Sequence, residues 1–192
     1  MNYVFISKND QECFIEFEID TFRTRIEFNF TPDDNFKGLA ISCCYSFKNH
    51  PIGFIKDNGL IRTETIGYRQ RPLFEINDTM FQAGPTLISE SKPFKDFTNE
   101  GFDERKILSG FHAHIGRKQS GNIIVGYSAN YTLGQMINRY QELFAVEAIK
   151  LPGLKEGAFF FRSSRQTIKA GFYPMPCALI FEPRIEKVNN SV

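Results

Sequence analysis

The sequence predicts an α+β domain: one large mixed or antiparallel sheet packed by few helices. Three observations lead there. Period-two alternation opens the chain, a single segment carries a complete helix-start signal, and the C-terminal third is a succession of short apolar runs. The 192 residues show no internal repeat and no linker, so a single domain over 1–192 is expected, long enough to bury a substantial core.

The elements follow in order. Cys13, Ile15, Phe17 and Ile19 alternate with Glu16 and Glu18. Beyond Asp20-Thr21, Phe22, Thr24, Ile26, Phe28 and Phe30 alternate with Arg23, Arg25, Glu27 and Asn29. The pattern predicts an N-terminal hairpin over 11–31 with one wet face, its register helped by Glu opposite Arg. Thr31-Pro32-Asp33-Asp34-Asn35 is a turn, and Gly38 to Tyr45 a buried strand. Ile52 to Ile55 and Leu60 to Thr65 form a hairpin around Asp57-Asn58-Gly59. Leu73 to Ile76 and Phe81 to Ile88 are further strands. The polar stretch Glu90 to Lys106 has no clean period and is expected to be a long surface loop of the kind that serves sites.

Thr132-Leu-Gly-Gln135 is a capping box, in which the Thr hydroxyl and the Gln side chain satisfy backbone amides reciprocally, with Tyr131 and Met136 placed as a hydrophobic staple. Leu133, Met136, Ile137, Tyr140 and Phe144 then make one apolar stripe. Strands are expected at Asn122 to Tyr127 and at Val146 to Leu151, the latter stopped by Pro152-Gly153. Ala158 to Arg162, Gln166 to Phe172 and Cys177 to Glu182 complete the set.

Composition excludes several classes. A net charge of +1 argues against binding a nucleic-acid polymer. No window approaches the roughly 20 apolar residues of a membrane span. Lys8, Asn9 and Asp10 interrupt the place where a secretory apolar run would continue, so a soluble cytoplasmic protein is expected. In that setting Cys13, Cys43, Cys44 and Cys177 are reduced thiols, and the sequons at Asn29, Asn77, Asn130 and Asn189 carry no sugar. The 21 Phe against no Trp predict a Phe-rich core. No cofactor is implied, and a homo-oligomer is left open.

Four segments, in order, resemble the phosphodiester glycosidase family, whose members include the enzyme that uncovers mannose-6-phosphate tags by removing N-acetylglucosamine. Ala40-Ile41-Ser42-Cys43-Cys44-Tyr45, with Pro51-Ile52-Gly53-Phe54 and Asp57-Asn58-Gly59, is similar to that family's Asn-Gly-Gly-Phe-Phe turn and following hairpin. Phe81-Gln82-Ala83-Gly84-Pro85-Thr86-Leu87-Ile88 is similar to its Gln-Ala-Gly-Pro-x-Leu-Val strand. His112-Ala113-His114-Ile115-Gly116 stands where it has Arg-x-Ala-Ile-Gly. Asn122 to Phe144 looks like its strand and Thr-Leu-x-Glu-Leu helix. The resemblance spans a core over 38–181.

The departures fall on the chemistry. Ser42-Cys43-Cys44 replaces Asn-Gly-Gly, and His112 replaces Arg. Pro152 stands where the resemblance puts the Asp of a Leu-Asp-Gly-Gly turn, and proline neither ionises nor transfers a proton, as hydrolysis of a glycosyl phosphodiester requires. Glu156 is the nearest substitute.

The remaining residues suit recognition. His112, His114, Arg117 and Lys118 surround one strand end. Lys155, Arg162 and Arg165 flank the altered turn with Ser163 and Ser164. Arginine forks bind phosphate oxygens in pairs, Tyr45, Tyr68 and Tyr127 offer stacking faces, and Ser42, Cys43 and Gln82 line the family-like pocket. His112-x-His114 also permits a metal reading, for which a thiol at Cys43 or Cys44 is the nearest third ligand, without recognised ligand spacing. Cys43 with His112 or His114 as base is a nucleophile reading, against which stands a buried, inert thiol.

The expectation is a non-catalytic protein that holds a phosphorylated small molecule, nucleotide-derived or a sugar nucleotide, in a diverged pocket. A virus-encoded protein sequestering a host signal nucleotide would fit it. The alternative is an active hydrolase of glycosyl phosphodiesters using Glu156, His112 or His114, and a partner-binding role stays open beside both.

Overall fold

Alternation along the strands sorts the apolar side chains onto the inner faces of two stacked sheets. The computed structural model describes residues 2–48, 50–64, 71–100, 102, 110–153 and 157–184. Among them are eighteen strands, one ten-residue α-helix and a single 3-10 turn, and every strand pairing is antiparallel. The expected α+β layout is thereby corrected to a β-rich fold.

A seven-stranded sheet runs in the order β1 (Tyr3–Lys8), β2 (Glu12–Phe17), β14 (Ile123–Tyr131), β13 (Gly110–Lys118), β15 (Ala145–Gly153), β11 (Thr86–Ser89), β12 (Lys92–Pro93). A five-stranded sheet runs β17 (Thr167–Gly171), β16 (Ala158–Arg162), β4 (Gly38–Ser42), β18 (Met175–Pro183), β3 (Phe22–Phe30). A four-stranded sheet, β8 (Leu60–Thr63), β7 (Ile55–Asp57), β10 (Thr79–Gln82), β9 (Leu73–Ile76), and the pair β5 (Ser46–Phe47) and β6 (His50–Pro51) complete it.

Ile15, Phe17, Ile115, Val125 and Ile149 of the seven-stranded sheet share one core with Ile41, Phe159, Phe161, Leu179 and Phe181 of the five-stranded sheet. Such interdigitated inner faces are the packing of a β-sandwich. Phe74, Ile76 and Phe81 of the four-stranded sheet join the same core. Phe–Phe contacts run through it, such as Phe17 stacked on Phe181 at 5.6 Å between centroids, so the Phe-rich composition serves packing.

The helix α1 (Leu133–Glu142) covers the outer face of the seven-stranded sheet. Leu133, Met136 and Tyr140 rest on Phe14, Leu87, Ile124 and Ala148. Its capping box forms as expected: the Gln135 amide donates to Thr132 Oγ1 at 3.2 Å and the Thr132 amide to Gln135 Oε1 at 2.8 Å. Phe144 leaves the expected stripe. It adopts φ 55° just past the helix and is 83% exposed, while Leu143 takes the buried position.

Three further expectations are corrected. The hairpin over 11–31 does not form, because β2 pairs with β1 and β14 while β3 pairs with β18 in the other sheet. The 3-10 turn Ile19–Thr21 carries the chain between layers, and both runs alternate because each buries one face against the same core. Arg23 and Arg25 accordingly meet Glu182 instead of the Glu residues of β2. The run Phe81 to Ile88 is split at Ala83-Gly84-Pro85 between two sheets. Finally, β15 continues through Pro152 to Gly153 with a register shift against β13, and a bulge is where a strand tolerates proline.

Helix and sheet approach closely at Gly116. A Cβ there would lie 2.5 Å from Tyr140 Cε1 and 2.9 Å from the Glu147 carbonyl, and Tyr140 is fully buried. Gly116→Ala is therefore expected to lower stability by about 1–3 kcal/mol, the usual cost of overpacking. Urea denaturation checks it, and an unchanged midpoint would contradict this packing.

Candidate functional site

Both faces of β13 are covered, so alternation assigns its residues to layers. Ala113 and Ile115 enter the sandwich core, and His112 and His114 point the other way, toward the helix layer. His114 is fully buried. Its Nδ1 lies 3.1 Å from the Tyr140 hydroxyl and its Nε2 3.3 Å from the Ser128 hydroxyl, and its ring stacks on Phe14 at 4.8 Å. Burial, assisted by the nearby charges of His112 and Lys150, pushes its pKa down to about 3. It is a neutral imidazole joining helix to sheet. Both nitrogens are engaged, which removes it as a base for a nucleophile.

At the end of this sheet residues of three family-like segments, around Tyr45, Gly84 and His112, meet the end of β15. Tyr45 follows β4, and its hydroxyl donates to the Gly84 carbonyl at 2.8 Å. The Gly84 amide donates to the Lys150 carbonyl at 2.8 Å, and the Lys150 amide to the Pro85 carbonyl at 2.9 Å. Gly84 is required: at φ 119°, a Cβ would sit 2.7 Å from Pro72 and 3.0 Å from Phe102. Gln82 accepts from the Phe54 amide at 2.8 Å and donates to the Arg71 carbonyl at 3.2 Å, which fixes the Arg71 backbone.

On this frame two cations meet one aromatic ring. The Arg71 guanidinium lies 4.5 Å from the Tyr45 centroid and 5.1 Å from that of Phe102, and the Lys150 ammonium 5.8 Å from Tyr45. Lys150 is only 6% exposed and donates to the Leu151 carbonyl at 3.0 Å. His112, 2% exposed, pairs with Gly153 across the bulge of β15.

Beside the corner, Glu100 is 8% exposed, and both its oxygens accept from Thr86: the amide at 2.8 Å and the hydroxyl. Burial raises its pKa, only partly offset by the two Thr86 donors, and Asp96 adds to the rise. Phe102, two residues on, packs 6.4 Å from Tyr45.

The other sequence-predicted residues lie elsewhere. Ser42 Oγ accepts from the Ala158 amide at 3.0 Å inside the five-stranded sheet. Cys43 is buried against Cys177, and burial pushes its thiol pKa well above the ordinary value, the opposite of what a nucleophile needs. Arg117, at the far end of β13, meets Glu147 at 3.9 Å, the Glu75 carbonyl and the Phe74 ring. Lys118 pairs with Glu16 at 2.7 Å. Tyr127 stacks on Phe111 at 5.5 Å.

Arg162 donates to the carbonyls of Asp33 and Asp34 at 2.9 and 2.7 Å and covers Phe160 on the outer face of the five-stranded sheet. Ser163 accepts from the Arg165 amide at 3.2 Å in the turn beyond, where Ser164 and Arg165 are exposed. The sandwich core separates this group from His112 and His114. Lys155, Tyr68 and Glu156 lie outside the described residues.

Of the residues singled out in the sequence, Tyr45, Gln82 and His112 come together at this corner and His114 lies within the helix layer, while Arg71, Lys150 and Glu100 were not among them. Lys150 did carry a signal, a lone cation inside the apolar run Ala145 to Leu151.

No family model matches this sequence, and no curated protein matches it either. Among solved structures, a hypothetical protein from Synechocystis superposes with a TM-score of 0.66 at 13% identity, over 95% of this chain and 61% of that one. The catalytic domain of zebrafish N-acetylglucosamine-1-phosphodiester alpha-N-acetylglucosaminidase, auto-inhibited by its pro-peptide, superposes with a TM-score of 0.64 at 9% identity, over 95% of this chain and 83% of that one.

His114 generates a pH prediction. Its folded pKa, about 3, lies below the unfolded value of about 6.5, so the unfolded chain takes up the proton first and stability falls as pH drops below about 6.5. Between pH 6.5 and 5 the loss is about 1.5 kcal/mol from this group. His114→Gln, which keeps a donor and an acceptor, is expected to flatten the profile by that amount in urea titrations at the two pH values. Parallel profiles would contradict a buried neutral imidazole.

What the fold likeness supports is a β-rich scaffold shared with a phosphodiester glycosidase domain, and at these identities the fold alone.

Proposed function

We propose that the chain is a non-catalytic binding protein that holds a phosphorylated small molecule, a sugar phosphate or nucleotide, at the corner formed by Tyr45, Arg71 and Lys150. The observation that carries this reading is the convergence of a guanidinium and a nearly buried ammonium on one tyrosine ring. A guanidinium forks onto two phosphate oxygens and an ammonium supplies a compact charge beside it. Attraction between charges strengthens as water is excluded. The faces of Tyr45 and Phe102 suit a sugar or base.

Two further points support the assignment. The likeness to a domain acting on a sugar phosphodiester favours a ligand of that class. On the resemblance to the glycosidase family, Pro152 replaces the acid, which favours holding over turnover. The ligand class and the diverged ancestry are both part of this proposal.

One observation favours a second reading, hydrolysis of a glycosyl phosphodiester. Glu100 is a buried carboxyl with a raised pKa, two residues from Phe102, and an acid of that kind is what protonation of a leaving oxygen calls for.

Calorimetry and thermal shift with nucleotides and sugar phosphates test both. A raised melting temperature with the ligand recovered intact is expected. Lys150→Met should weaken binding about 10- to 100-fold, the worth of a charge-assisted hydrogen bond, while Arg162→Ala and Arg165→Ala leave affinity unchanged. No binding across the panel, or equal binding by Lys150→Met, would refute the corner. Free sugar released with turnover, and lost in Glu100→Gln, would replace the first reading by the second.

A further inference from the structure

Among the described residues, the side chains of ligating type that gather closely enough to share a cation are Cys43, Cys44 and Cys177, their Sγ atoms all within 4.8 Å of one another. We propose that these three sulfurs form a site for one thiophilic d10 cation, with Cu(I) favoured over Zn(II).

The backbone builds the cluster. Just past β4, the Cys43 amide donates to the Cys177 carbonyl at 3.0 Å, which holds the two residues opposite each other across the sheet. Strand alternation would turn Cys44 to the opposite face. The chain bends there instead, and Cys44 is 2% exposed in the same core as its neighbours. Two consecutive thiols thus converge on a third that is 134 residues from Cys43. Cys43 Sγ lies 3.3 Å from Cys177 Sγ and 3.6 Å from Cys44 Sγ.

Three sulfurs bonded to one cation at about 2.3 Å stand roughly 4 Å apart in a plane and slightly closer in a tetrahedron. The two separations from Cys43, 3.3 and 3.6 Å, are a few tenths of an ångström short of that spacing, so small side-chain rotations that part the sulfurs seat the ion. A sulfur-only set selects soft cations. Zinc wants four ligands, and the cluster supplies three inside an apolar core. That difference favours Cu(I). On binding, metal–sulfur bonds form, and each thiol that binds as thiolate loses its proton to water.

The site lies in the sandwich core, distinct from the Tyr45 corner, and stands or falls separately from it. The test is to refold the full chain from denaturant under reductant with one equivalent of Cu(I) or of Zn(II), then remove excess metal with a competing chromophoric chelator. One equivalent of Cu(I) retained per chain, with X-ray absorption showing three sulfur neighbours, is expected, and Zn(II) should be lost to the chelator more readily. Cys177→Ala should lower affinity by more than about 100-fold, beyond the effect of losing an outer-sphere partner. Cys13→Ala, which removes a buried thiol outside the cluster, should leave it unchanged, and circular dichroism checks that both variants fold. No metal retained by the folded wild type, equal retention by Cys177→Ala, or a Cys43–Cys177 disulfide in the metal-loaded sample would each overturn the proposal.

Discussion

Coverage of both faces of the seven-stranded sheet is the constraint from which the rest follows. Its inner face meets the five-stranded sheet and its outer face meets α1, so the central strands β13, β14 and β15 have no wet side along most of their length. Any polar side chain there must be satisfied from within, because an unpaired buried polar group is costly. His114 answers with Tyr140 and Ser128. Gly126 makes room for it, since a Cβ there would lie 2.9 Å from His114 Cε1. At the other end of the helix layer, Glu12, 5% exposed, accepts from the Tyr131 hydroxyl at 2.7 Å and pairs with Arg139 at 3.0 Å. That network ties α1 to β2 where apolar contacts thin out.

The same constraint places the candidate site. Lys150 lies where β15 bulges around Pro152 and β11 begins after Pro85, a place nearly closed to solvent: Lys150 is 6% exposed, and Pro85, Thr86 and Pro152 are buried. Lys150 is the last residue of β15 to point into the helix layer before that bulge. Its aliphatic stem lies within the layer while its ammonium reaches the ring of Tyr45, the arrangement that long cationic side chains commonly adopt at an apolar margin. Gln82 and Gly84 then act through the backbone: one holds the chain carrying Arg71, the other lets Pro72 and Phe102 close on the corner. The chemistry is presented by residues whose positions are set by hydrogen bonds to main-chain groups, which is the requirement for a preorganised site.

The local parts of this arrangement were legible in the sequence. The capping box at Thr132, the turn at Asn58-Gly59 and the buried run at Gly38 are each specified within a few residues, and each forms. What escaped was partnership between distant segments. Ile15 and Ile26 alternate in the same way whether their strands pair with each other or face each other across a sandwich, because period two reports which side is buried and not what buries it. The partner of β3 is β18, paired with it from Phe22 to Phe30, and the Glu182 that meets Arg23 and Arg25 there is more than 150 residues away in sequence. Strands buried on both faces, such as Ile123 to Val125, lose alternation altogether, so such a run reports a strand without reporting which layers cover it. Arg162 was misplaced similarly: its partners are backbone carbonyls of Asp33 and Asp34, which no side-chain pattern announces.

Protonation states separate holding a ligand from turning it over. General acid–base catalysis needs a group whose pKa lies near the working pH, so that it both gives and takes a proton. His114 is held neutral by burial, and its two nitrogens are committed to hydroxyls. Cys43 is held as a thiol in the core. Arginine does not deprotonate in proteins, so Arg71 offers a fixed charge and nothing to transfer. Glu100 differs, because burial moves its pKa toward neutrality instead of away from it. Yet Thr86 engages both its oxygens, and to serve a leaving group Glu100 must give up one of those bonds. On the proposed reading, a corner of fixed charges with one tethered acid suits electrostatic recognition, and proton transfer there requires Glu100 to release one of its Thr86 bonds.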